Sequence, residues 1–182
     1  MTQKPPTDIA PQELARLAVE GYISTGVRIP GPLLVEGLLA ERAGAFVTLR
    51  HISGDLRGCI GTVAPICENL AEEIIHNAIS AATRDPRFPE VKPTELDTLL
   101  YGVDVLAAPE EISGLDQLDP SRYGIIIETV DESRRGLLLP MIEGIESAEE
   151  QWIAVHHKAR IRLGSSVRVQ RFQVRRFGKD QL

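Results

Sequence analysis

Residues 44–83 hold the pattern that most restricts the fold. GAFVTL (44–49) contains the strand formers Phe46, Val47 and Thr48. Gly54-Asp55 supplies a turn within HISGD (51–55), and LRGCIGTV (56–63) returns, so 45–63 reads as a β-hairpin. Residues 68–83 follow with Ala71, Ile74, Ile75, Ala78, Ile79 and Ala82 on one helical stripe. Glu68, Glu72 and Glu73 load the N-terminal half of that helix, where negative charge suits the macrodipole. DPRFPEVKP (85–93) stops it, because Pro86 biases Asp85 out of the helical region. A hairpin running straight into an amphipathic helix buries its apolar side most simply as a sheet with a helix laid on one face.

The rest of the chain repeats this mixture. Residues 1–10 read as a disordered leader, and a helix begins at Pro11, with Leu14, Leu17 and Ala18 at helical spacing. Residues 26–32 (GVRIPGP) break it, and Gly37 limits 33–42 to a short turn of helix at best. Tyr101, Val103, Val105 and Ala107 alternate along a strand, and 109–124 reads as a polar connector. Residues 123–130 and 136–140 read as a second hairpin. Ser147 and Glu150 form a capping box at the start of a helix over 147–161. Residues 167–177 read as one last strand, and no internal repeat is visible. Strands that come mostly as hairpins around helices give an α+β class, a mainly antiparallel sheet with flanking helices.

Composition narrows the function. The 182 residues are 43% apolar and 25% charged, which suits one globular domain and excludes a disordered chain. Two cysteines exclude a disulfide-stapled scaffold. No apolar run reaches the roughly 18 residues of a membrane span, and the N-terminus lacks the apolar core of a signal peptide. The expectation is a soluble, cytoplasmic protein that binds no membrane. The net charge of −6 hides a split: residues 1–150 carry 12 Lys+Arg against 25 Asp+Glu, whereas 151–182 carry 8 against one. Such a tail can bind anions or can be a strand of arginines lying against an acidic body.

Arg57-Gly58-Cys59-Ile60-Gly61 is the segment richest in chemistry. In a regular strand Arg57, Cys59 and Gly61 share one face. An arginine two residues from a thiol can lower its pKa and prepare a nucleophile, and Gly61 would leave open backbone beside the sulfur. The functional reading is a cleft where Arg57 holds a carboxylate or phosphate next to Cys59, with Gly58 and Gly61 giving access. The bland alternative is a cysteine that only fills space. Cys67 has neither neighbour and reads as packing. In Asp85-Pro86-Arg87-Phe88-Pro89, two prolines aim Arg87 and Phe88. The segment is either a rigid helix stop or the rim of the same cleft, with Asp85 and Asn77 beside it. None of His51, His76, His156 and His157 is tied to Cys59 by a motif. No metal, nucleotide or hydrolase motif is present, so no metal and no cofactor is expected.

At these residues the chain resembles a known family. LRGCIGT (56–62), with GAFVTL (44–49) before it and NAISAATRDPRFP (77–89) after it, is similar to the AMMECR domain family. Its bacterial and archaeal members are called AmmeMemoRadiSam system protein A. The likeness continues through VDVLAAPEEI (103–112), YGIIIE (123–128), RGLLLP (135–140) and RFQVRRF (171–177), covering roughly 11–178. The resemblance implies a single AMMECR-type domain over 11–178. Its larger part would cover about 11–110 plus 166–178 and its smaller part about 111–165, with a cleft between them faced by LRGCIGT. It carries over Arg57, Gly58, Cys59, Gly61, Asp85, Arg87 and Phe88 as site candidates. It also implies a Memo-like protein and a radical SAM protein as partners.

Three functional readings stand at this point. One is an enzyme or enzyme component using Cys59 on an anionic small molecule or peptide. A second is a non-catalytic module that presents a substrate to its partners. Nucleic-acid binding ranks last, since aromatic residues are only 4% and the overall charge is negative.

Overall fold

The computed structural model describes residues 8–32 and 35–178. Most of the expected leader, 1–7, lies outside them, as do residues 33 and 34 of the ambiguous stretch. Ile9, which the leader was expected to include, is buried in the first core. The chain divides into two compact units, Met1–Val105 with Arg175–Leu182, and Leu106–Val174.

The first unit starts with helix α1 (Pro11–Thr25), which has Pro11 in its first turn and ends where Gly26 takes a left-handed φ of 71°. A single 3₁₀ turn, Gly37–Ala40, follows. The expected hairpin forms from β1 (Ala45–His51) and β2 (Leu56–Gly61), with Gly54 at φ 93° in the turn. Helix α2 (Leu70–Thr83) begins two residues later than its charge pattern suggests, because the Asn69 side chain caps it by accepting the Glu72 N–H at 3.0 Å. After a 3₁₀ turn, Pro93–Thr98, β3 (Leu99–Leu106) pairs antiparallel with β1. Ala45, Val47 and Leu49 alternate into the core with Val103 and Val105, and Ile74, Ile75 and Ala78 of α2 belong to the same cluster.

The second unit contains β4 (Glu110–Glu111), a 3₁₀ turn at Leu115–Gln117, β5 (Gly124–Thr129) and β6 (Arg135–Leu138). Helix α3 (Ala148–Ala159) follows, with the Ser147/Glu150 capping box formed in both directions. Strand β7 (Val167–Phe172) closes the sheet order β4-β7-β5-β6. Ile125, Ile127, Leu138 and Val155 form its core, with Trp152 packed against them.

The last strand is the main departure from the sequence reading. It breaks at Gln173 into β7 and β8 (Val174–Phe177), and β8 joins the first sheet in the order β2-β1-β3-β8. Phe172 and Phe177 lie on opposite parities, so one flat strand cannot bury both on one face. The break lets Phe172 pack against Gly124 in the second unit and Phe177 against the first core. Only 175–178 of the segment 166–178 therefore stays with the larger unit. The protein is α+β with two antiparallel sheets. No described helix is long and apolar enough to cross a membrane.

Candidate functional site around Cys59

Strand β2 lies at the edge of its sheet. Thr62 donates its N–H to Ala45 O at 3.0 Å, and the ladder with β1 runs Ile60↔Val47 and Gly58↔Leu49. By the alternation of an antiparallel ladder, the N–H and C=O of Cys59 and Gly61 point away from β1. Two side chains serve Cys59 in place of a neighbouring strand. Asp85 Oδ2 accepts the Cys59 N–H at 2.8 Å, and Arg87 Nη2 reaches the Cys59 carbonyl at 3.4 Å. The thiol side chain faces Thr48, its cross-strand partner, whose Oγ1 stands 3.4 Å from Sγ. Cys59 is half-buried.

The turn after α2 builds this arrangement. Pro86 ends the helix, and the Phe88 N–H closes a turn onto Asp85 O at 3.1 Å. Asp85 accepts from the Arg87 N–H at 3.1 Å, from Nε at 2.9 Å and from Nη2 at 2.7 Å. Its side chain is 3% exposed, whereas that of Arg87 is 54% exposed. The Arg87 guanidinium holds the Asp85 carboxyl far below the usual carboxylate range, helped by the Cys59 and Arg87 N–H groups and opposed by burial. Asp85 in turn raises the pKa of Arg87, with a smaller contribution from Cys59. Phe88 is half-buried, 5.4 Å from the Arg87 guanidinium carbon.

Arg57 does not join Cys59. The β1–β2 register shifts at Leu49/Arg50, so that Gly58 pairs Leu49 while Leu56 pairs Arg50, and Arg57 is the extra residue. Such a bulge re-aims a side chain and breaks strict alternation. Arg57 is 7% exposed. Its Nε and Nη2 bind Glu95 at 2.7 and 3.1 Å, and Nη1 binds Pro89 O at 3.0 Å. Arg57 pulls the Glu95 carboxyl from 4.5 to about 2, with help from the Lys92 N–H and the charge of His51. The expectation that Arg57 holds an anionic ligand gives way to a bidentate internal ion pair.

The glycines and Asn77 also change meaning. A Cβ on Gly58 would overlap the Ala81 carbonyl of α2, and one on Gly61 would overlap the Phe46 ring. Both glycines are therefore needed for close packing, and the space beside Gly61 is filled. Asn77 is buried and donates Nδ2 to Ala45 O at 2.9 Å and to Thr62 Oγ1 at 3.1 Å, tying α2 to the end of the hairpin. Glu73, fully buried, accepts the Thr62 hydroxyl and the N–H groups of Ile66 and Cys67 at 2.9 and 2.8 Å. Burial, followed by the Glu73 charge, pushes the Cys67 thiol up.

The site is thus Cys59, Thr48, Asp85 and Arg87, with Phe88 at its border. Among the described residues no histidine is bonded to any of these four, and no His/Cys/Asp/Glu group is arranged to hold a metal. Thr48 escaped the sequence reading, although the Gly54-Asp55 turn would place it near Cys59 across the hairpin. Glu95, 38 residues from Arg57, leaves no local signal.

The AMMECR1 family model matches residues 12–177. A protein of Thermotoga maritima is 48% identical over 161 residues, covering 87% of this chain and 91% of that protein. A Clostridium acetobutylicum protein is 41% identical, covering 90% of this chain and 35% of its own length. The crystal structure of an uncharacterized protein from Pyrococcus horikoshii superposes with a TM-score of 0.82 at 36% identity, covering 91% of this chain and 88% of that one.

Proposed function

The chain belongs to the AMMECR1 family, and from that premise we propose that it works through Cys59 on an anionic small molecule or peptide, with Arg87 as the cation that meets it. The observation that supports this reading is the convergence on one half-buried cysteine of three side chains from two other segments: Thr48 at its Sγ, Asp85 at its backbone N–H and Arg87 at its backbone carbonyl. Asp85 fixes the backbone of Cys59 and holds Arg87 beside it, and Arg87 remains more than half exposed. A carboxylate or phosphate can approach that guanidinium from solvent, which the buried Arg57 does not permit. Cys59 acts as nucleophile or as thiol acid/base.

A second reading has its own support. Among the described residues, the only side-chain hydrogen bond to Sγ comes from a hydroxyl, and no base is bonded to it. This favours a non-catalytic module that presents a substrate to the Memo-like and radical SAM partners that the family resemblance implies. A reducing, cytoplasmic setting belongs to both readings.

Iodoacetamide labelling of the native protein between about pH 5 and about 9, followed by peptide mapping, tests the first reading. Cys59 should label in the folded state and ahead of Cys67, whose thiol is pushed up. Labelling of Cys59 only after unfolding removes the nucleophile. A Cys59→Ser variant that keeps its partner complex and its biological role would favour the presenting module.

A further inference from the structure

The second unit holds a cavity of about 450 Å³ lined by Ile112, Leu115, Trp152, Val167 and Val169, with Glu111 and Arg168 at its polar side. It lies far along the chain from Cys59, within the unit Leu106–Val174. Its volume falls in the range of ligand sites, and its origin is a sheet edge left open.

Strand β4 covers only part of β7, pairing Glu110 with Arg171 and Glu111 with Gln170. One more bond follows, from the Ile112 N–H to Val169 O at 3.1 Å. The chain then leaves the sheet and turns at Leu115–Gln117. On its other side, β7 pairs with β5 as far as Thr129↔Val167. The Ile112 bond shows that Val169 points its polar backbone groups toward the β4 side, and the period of two places those of Val167 there as well. Among the described residues, the Val167 N–H and C=O and the Val169 N–H have no bonding partner. They form a short row of strand donors and acceptors within an apolar wall. Trp152 is held as part of that wall by its tilted packing on the buried His156, ring centroids 4.1 Å apart.

The charge at the rim is unbalanced. Arg168 already pairs with Glu132 at 2.6 Å and with Glu128 at 3.4 Å. Glu111 makes no ion pair among the described residues, and its charge reaches Arg168 only through space. Of the two charges that line the cavity, Arg168 is thus already answered by carboxylates outside it, while Glu111 is left without an ion pair, so a cationic group is favoured beside Glu111 and an acidic one opposed.

We infer that this groove binds an extended peptide segment of another chain, apolar in its side chains and carrying a basic residue or a free amino group. The peptide adds to the β7 edge beyond Ile112, meets Val167 and Val169 through its backbone, and lays apolar side chains against Leu115 and Trp152. This site is independent of the Cys59 reading.

Trp152 is the sole tryptophan, so its emission reports on the groove directly. The full chain is titrated with the amide of lysyl-valyl-isoleucyl-valine. Controls are the same peptide N-methylated at alternate residues and one with glutamate in place of lysine. The expected result is a saturable shift in emission. N-methylation should weaken binding about tenfold or more, the scale of one to two hydrogen bonds. The glutamate peptide should bind several-fold more weakly, and so should the lysyl peptide to a Glu111→Gln variant. An absent or non-saturable response overturns the proposal. So does equal binding of the N-methylated peptide, which would leave only an apolar pocket. A concentration-dependent dimer that shifts the emission without peptide also overturns it, by giving the edge to a second copy.

Discussion

Arg57 and Glu95 meet across 38 residues of sequence with two hydrogen bonds, inside a first unit whose other buried charge is largely carboxylate. Removing one partner leaves the other charge poorly solvated, so Arg57→Ala should lose about 3 kcal/mol of stability in urea unfolding. The pH dependence follows from Glu95. Its folded pKa, about 2, lies below its ordinary 4.5, so its stabilisation is fully present above about pH 5. That stabilisation drains away as pH falls toward about 2. Asp85 is depressed in the same direction and adds to the acid sensitivity. A Glu95→Gln variant should be less stable than wild type at neutral pH and lose less stability between about pH 5 and about 2. Parallel acid profiles for the two proteins would show that Glu95 is not the group responsible. Asp85→Asn provides a separate test of the Cys59 site. It keeps an acceptor for the Cys59 N–H but releases the Arg87 guanidinium, so the iodoacetamide rate at Cys59 should change more than the unfolding midpoint.

At the level of elements, Gly58 and the α2 cap decide how closely helix and hairpin can approach. Gly58→Ala forces a methyl into the Ala81 carbonyl and should cost about 2 kcal/mol in thermal or urea unfolding. Asn69→Ala removes the acceptor of the Glu72 N–H and should cost about 1 kcal/mol. These two residues also show where sequence reading succeeds and where it stops. The hairpin, α2, the capping box of α3 and the second hairpin were legible because each rests on a local period or a local cap. The bulge at Arg57 was not legible, because it comes from the register between two strands and strict alternation hides it. The glycines of LRGCIGT were seen as special, yet their cause lies in Ala81 and Phe46, which only the packed structure brings near. The Asp85-Pro86-Arg87 turn was legible as a rigid loop. Its aim at the Cys59 backbone was not, since nothing local links residue 85 to residue 59.

Across the whole molecule, three of the eight cations in residues 151–182 are seen in ion pairs with the acidic part of the chain. Arg168 binds Glu128 and Glu132, Arg171 binds Glu110, and Arg176 binds Asp104 at 3.0 Å. Arg171 also lies 4.3 Å above the Tyr123 ring and donates to Gln117 O at 2.7 Å, so it clamps the connector to β7. Arg175 stacks on Phe177. The basic strands therefore lie within the two sheets, and three of their arginines are neutralised by the acid-rich body. Nucleic-acid affinity rises with the number of phosphates neutralised, and a cation already paired must first give up its carboxylate. Fluorescence anisotropy with single- and double-stranded oligonucleotides at low salt should accordingly show no saturable binding. Arg171→Ala should instead register as lost stability in the second unit, because it removes an ion pair, a carbonyl contact and a ring contact together. Saturable, salt-sensitive binding that Arg171→Ala weakens without lowering stability would return the basic tail to the role of a nucleic-acid surface.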